Sequence, residues 1–102
     1  MKNVLSNAMQ TYDAIRVIKN ILERYHVFSN VLTTYYTHTA SDIRFSTSEG
    51  IFIIQFITYD SFQIFDKEQL ENGITSECEY VDVDGIYNLI SIIKLLAREL
   101  DI

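Results

Sequence analysis

Residues 77–85 read ECEYVDVDG and carry four carboxylates, Glu77, Glu79, Asp82 and Asp84, beside the chain's single cysteine, Cys78. Carboxylates at this density suit three kinds of chemistry: calcium ligation, a general acid–base pair, or electrostatic capture of a basic surface. The calcium reading fails on spacing. If Asp82, Asp84 and Gly85 fill the third, fifth and sixth positions of an EF-hand loop, the first is Tyr80 and the twelfth is Ser91. Neither can supply the carboxylate that such a loop requires. Zinc would have to draw on His26, His38 and Cys78, which show no paired spacing. Cys78 alternates with two glutamates, so it reads as a small apolar residue on the inner side of a strand.

Nucleophilic catalysis fares no better. His26 ends a helical pattern, His38 lies in a Thr-rich stretch, and no GxSxG or similar nucleophile motif stands near either. Glu77 and Glu79 share a strand face, a spacing far more often found on plain surface than in an acid–base pair. Three scattered glycines, at 50, 73 and 85, cannot build a loop that cradles phosphate. The sequence therefore points to no enzyme, no catalytic residue, no cofactor and no metal, and leaves the charge itself as the informative feature.

That charge is unevenly placed. The net charge is −6, and residues 60–84 hold eight acids against one lysine, Lys67. The acids are Asp60, Asp66, Glu68, Glu71, Glu77, Glu79, Asp82 and Asp84, whereas residues 1–44 carry a slight excess of base. A clustered negative field repels nucleic acid and anionic membrane, and it speeds docking of basic surfaces. Tyr35, Tyr36, Tyr59 and Tyr80 fall in strands or at their ends; stacking of single-stranded nucleic acid on such rings needs a basic groove, and this chain has the opposite sign.

The elements that must position these acids follow from hydrophobic period. Residues 3–26 predict an amphipathic helix with a stripe at Leu5, Ala8, Tyr12, Ile15, Ile18, Leu22 and Tyr25. Strands are expected over 31–38, 43–47, 51–59 and 62–65, separated by turn signals at 41–42, 48–50 and 59–61. The third, IFIIQFITY, is apolar on both faces, as in a central strand that is covered on both sides or meets a partner. Asp66, Gln69 and Gly73 punctuate a short helix over 66–73. A fifth strand is expected over 76–82, with Glu77 and Glu79 outward. The alternation then slips between Tyr80 and Val81, which places Asp82 and Asp84 in the turn and makes Asp84 the cap of a last helix, 86–100. That helix is apolar on more than one side, through Ile86, Leu89, Ile90, Ile93, Leu96, Ala97 and Leu100, with Ile92 and Leu95 beside them.

The expected architecture is α+β: a mainly antiparallel sheet of four to five strands with both long helices on one face, in the order α-β-β-β-β-α-β-α, as one domain over 1–102. Hydrophobic residues at 48% and charged residues at 22% fit a globular chain and not a disordered one. The most apolar run has ten residues, against the roughly 20 a membrane-spanning helix needs. No secretory signal pattern opens the chain, and one cysteine allows no internal disulfide, so a cytoplasmic setting is expected. Among functions, this charge pattern fits best an acidic inhibitor or immunity-type protein. Asp60, Asp66, Glu68, Glu71, Glu77, Glu79 and Asp82 would engage a basic protein partner, such as a nuclease toxin or another nucleic-acid-handling protein. The alternatives are a dimeric secretion-type chaperone or adaptor, self-associating through the last helix or the sheet, and a phage or mobile-element accessory protein.

Overall fold

A computed structural model describes residues 4–36, 41–66 and 80–101 of the chain. It is an α+β fold: helix α1 (Val4–Arg24), strands β1 (Ser29–Tyr35), β2 (Ser41–Thr47), β3 (Gly50–Thr58), β4 (Ser61–Asp66) and β5 (Val81–Asp84), and helix α2 (Ile86–Leu100). The strands form one antiparallel sheet in sequence order, β1-β2-β3-β4-β5. β3 is therefore central, as its two-sided apolar sequence predicts.

Two threonines shape the tight hairpins. Thr47 pairs with Gly50 across the β2–β3 turn, and its hydroxyl donates to the Gly50 carbonyl at 2.8 Å while accepting from the Glu49 amide at 3.1 Å. Thr58 repeats the second contact at the β3–β4 turn, accepting from the Asp60 amide at 3.3 Å. Such side-chain bonds to nearby backbone stabilise a reversal where no proline is available.

Alternation gives the sheet its two faces. Ile43 and Phe45 of β2, Ile54 and Phe56 of β3, Phe62 of β4 and Val83 of β5 are buried against Ile15, Ile18 and Leu22 of α1 and Leu89, Ile93 and Ala97 of α2. Aromatic edges lock this core: Phe28 meets Phe45 with centroids 5.0 Å apart, and Phe56 meets Phe62 at 5.0 Å. Burying each such side chain contributes about 1.5–3 kcal/mol before entropy.

Several expectations shift. The buried line of α1 runs through Thr11, Ala14, Ile15, Ile18 and Leu22, and Tyr12 lies at its exposed margin, tilted on Tyr35 of β1. Small residues at 11 and 14 allow close approach, whereas tyrosine keeps its hydroxyl near water. The side chains of Leu5 and Ala8 lie outside the described residues. Ser41 and Asp42, read as a turn, begin β2.

The end of the sheet differs most. β5 starts at Val81, so Asp82 and Asp84 belong to the strand and not to the turn after it. Asp84 pairs with Ser61, which places it at the phase of the sheet turned away from the helices. Gly85 stands at the N-cap instead, at φ 88° and ψ 142°, with no side-chain capping bond. Asn88 bonds back to the Asp84 carbonyl, and the Gly85 amide donates to the Asp60 carbonyl at 2.8 Å. The expected short helix over 66–73 and the first part of the expected fifth strand lie outside the described residues, apart from Asp66, which closes β4. No helix among the described residues is long and apolar enough to cross a membrane.

Candidate functional site

The register of the sheet assembles a polar row on the face turned away from the helices. Thr34 of β1 lies opposite Asp42 of β2, Asp42 opposite Gln55 of β3, Gln55 opposite Gln63 of β4, and Gln63 opposite Asp82 of β5. The row crosses all five strands, with a carboxylate towards each end and two amides between. Both carboxylates are engaged: Tyr36 Oη donates to Asp42 Oδ2 at 2.8 Å, and Gln63 Nε2 donates to Asp82 Oδ1 at 3.0 Å. The bond to Asp42 is the main reason that the Tyr36 pKa lies above the usual tyrosine value, with desolvation and the Asp42 charge adding to it and Arg44 opposing. A hydrogen bond that holds the neutral phenol disfavours its ionisation.

Beside this row runs a second one, Leu32–Arg44–Ile53–Phe65. Ile53 and Phe65 are buried although they are on the face opposite the helices, and the Phe65 ring meets Tyr80 at 5.4 Å. Leu32, Tyr36 and Tyr80 are exposed, at 61%, 63% and 46%. The surface thus offers acid, amide and apolar groups side by side. Arg44 is the single basic residue of the described strands, and on this face it stands against Asp42, Asp82 and Asp84. The described cations other than Arg44, namely Arg16, Lys19, Arg24, Lys94 and Arg98, lie on the two helices.

Geometry decides what the row can do. Asp42 and Asp82 are three strand spacings apart, about 14 Å at about 4.8 Å per strand. Paired catalytic carboxylates sit from about 3 Å apart in aspartic-protease dyads to about 9.5 Å in inverting glycosidases, and ligands of one calcium ion lie within about 2.3–2.6 Å of it. The row is too wide for either and suits an extended recognition surface. Among the described residues, no three His, Cys, Asp or Glu side chains are grouped to hold a metal ion.

The expected acidic block is partly dispersed. Asp60 sits in the β3–β4 turn, close to the β5–α2 junction, where an added Gly85 Cβ would lie 3.7 Å from its Oδ1. Asp60, Asp82 and Asp84 therefore gather at one end of the β4–β5 pair. Asp66 does not join them: it pairs with Phe52 at the far end of β4 and points to the helix side. Glu68, Glu71, Glu77 and Glu79 lie outside the described residues. Asp42, Gln55 and Gln63 escaped the sequence reading. The one signal for Gln55 and Gln63 was a lone polar residue between apolar neighbours at the outward phase of a strand, whereas Asp42 reads in the sequence as part of a turn.

A separate apolar groove of about 210 Å³ opens on the helix side, between α2 and the sheet. Phe52, Ile64 and Val81 form its floor, Leu95 and Leu96 its wall, and Glu99 its rim. Val81 and Leu95 are more than half exposed there. No protein-family model matches the chain, and no curated protein or solved structure does either.

Proposed function

We propose that the chain is an acidic protein-binding module that covers and neutralises a basic partner, a nuclease toxin or another nucleic-acid-handling protein being the kind whose phosphate-binding cations it would occupy. The observation that carries this reading is the Thr34–Asp42–Gln55–Gln63–Asp82 row with exposed Leu32, Tyr36 and Tyr80 beside it. Carboxylates spaced along a rigid sheet pair with separate Lys or Arg side chains and fix the register of the complex. The glutamines accept and donate between them, and the tyrosines supply the rigid contact area typical of binding anchors. Tyr36 and Gln63 hold their carboxylates in place before the partner arrives, which lowers the ordering cost of association. A titration with a basic ribonuclease, followed by backbone amide resonances, tests the reading. Saturable shifts at residues 42, 55, 63 and 82 with loss of nuclease activity support it. Shifts confined to the helices contradict it.

A second reading, the dimeric chaperone or adaptor, rests on the apolar groove beside α2 and its exposed Leu95 and Val81. A second copy seated there would withdraw both from water. Light scattering separates the two: a strict monomer at high concentration rules the dimer out.

A further inference from the structure

The C-terminal ends of the two helices enclose a cleft of about 410 Å³, within the range of small-molecule sites, about 300–1,000 Å³. Its walls carry Arg24 and His26 at the end of α1 and Lys94 and Arg98 on α2, with Asp101 as the one acid. In a chain with eight Lys and Arg and a net charge of −6, three of the eight converge on this one cleft. Asp101 is engaged by His26, whose Nε2 lies 3.3 Å from its Oδ1. Arg24, Lys94 and Arg98 have no ion-pair partner among the described residues, whereas Arg16 and Lys19 elsewhere on α1 pair with Asp13 and Glu23. We infer that this cleft binds a small phosphate-bearing anion.

Helix ends explain part of the pattern, because the negative end of each helix dipole favours a cation in the last turn, as at Arg24 and Arg98. Lys94 lies too far from the end for that. It also stands four residues before Arg98, a like-charge spacing that works against the helix unless an anion lies between them. Two guanidinium forks and one ammonium match a phosphate, which accepts bidentate and single charge-assisted bonds at once. The acids of the second sheet face lie across the sheet from the helices, and salt confines their field to a Debye length of about 10 Å. The remaining wall, Tyr25, Val27 and Ala97, is largely apolar and leaves room for more than a bare phosphate.

The test uses inorganic pyrophosphate and a nucleoside diphosphate as probes, with sodium chloride at matched ionic strength as control. Both probes should raise the midpoint of thermal unfolding, by binding linkage. They should shift amide resonances at 24–27 and 94–101 saturably. Lys94→Gln and Arg98→Gln should each weaken binding about tenfold, as for the loss of one charge-assisted bond, and Lys94→Gln should do so without lowering the stability of the free protein. Tighter binding of the nucleoside diphosphate identifies a nucleotide as the source of the phosphate; equal affinity identifies the free anion. The inference is overturned if sodium chloride reproduces the shifts, or if the double variant binds pyrophosphate as tightly as the unaltered protein.

Discussion

Gln63 Nε2 donates a 3.0 Å hydrogen bond to Asp82 Oδ1 across the β4–β5 pair, joining residues 19 positions apart in the chain. The bond is exposed, so it adds little to stability, about 0.5–1 kcal/mol. Its consequence is orientation: the carboxylate at one end of the polar row is held against the sheet. Asp82→Asn keeps an acceptor for Gln63 and removes the charge. Its midpoint of chemical denaturation should stay within about 0.5 kcal/mol of the unaltered protein, while affinity for a basic ribonuclease falls. A large loss of stability would show that Asp82 serves the fold instead.

Tyr36 and Asp42 give a pH signature at the other end of the row. The raised Tyr36 pKa means that the folded state holds the phenolic proton more tightly than the unfolded chain does. The stabilisation is present in full below the unfolded tyrosine value, about 10, and is lost as pH rises through the higher folded value. A tyrosine titration followed by ring resonances should show Tyr36 ionising above pH 10. Asp42→Ala should bring it back towards the ordinary value.

Thr33 offers a test of packing. Its Oγ1 is buried on the helix side of β1 with no hydrogen-bond partner among the described residues. Thr33→Val keeps the branched shape and β-propensity and removes the unpaired hydroxyl. It should raise stability by up to about 1 kcal/mol, measured by denaturant unfolding. An equal loss would show that the hydroxyl is paired.

Gly85 joins β5 to α2 with φ at +88° and ψ at 142°. A Cβ there meets Asp60 Oδ1 and Asn88 Nδ2 only at ordinary contact distances, 3.7 and 3.9 Å. The cost of Gly85→Ala is therefore conformational, about 1–3 kcal/mol, and thermal unfolding should show it. Gly50→Ala, also at positive φ with nothing within 4 Å, provides the parallel case at a hairpin.

The strands were legible because alternation reports directly on burial. Ile43, Phe45, Ile54, Phe56 and Phe62 follow a period of two and all reach the core. Ile15, Ile18 and Leu22 of the expected α1 stripe are buried, and the stripe departs at Tyr12, where Thr11 and Ala14, weak in hydropathy, pack instead. Asp84 looked like a cap because aspartate before an apolar helical run usually is one. Pairing with Ser61 turned it away, and a glycine took its place. The polar row was illegible as a unit. Asp42, Gln55, Gln63 and Asp82 are distant in sequence, and strand register alone makes them neighbours. The summed acidity of residues 60–84 pointed to a recognition surface, but its described members, Asp60, Asp66, Asp82 and Asp84, divide between the two sheet faces and the turn, with Asp66 on the helix side.

The central claim, that the polar row captures a basic partner, is tested most directly by the salt dependence of binding to a basic ribonuclease, measured for the unaltered protein and for Asp42→Asn/Asp82→Asn. Two rigidly held carboxylates should contribute to both affinity and its decline with salt. The account predicts that the double variant binds at least about tenfold more weakly, equivalent to about 1.4 kcal/mol, with a visibly shallower salt dependence and an unchanged fold. Equal affinity and an equal salt slope for the two proteins would contradict it.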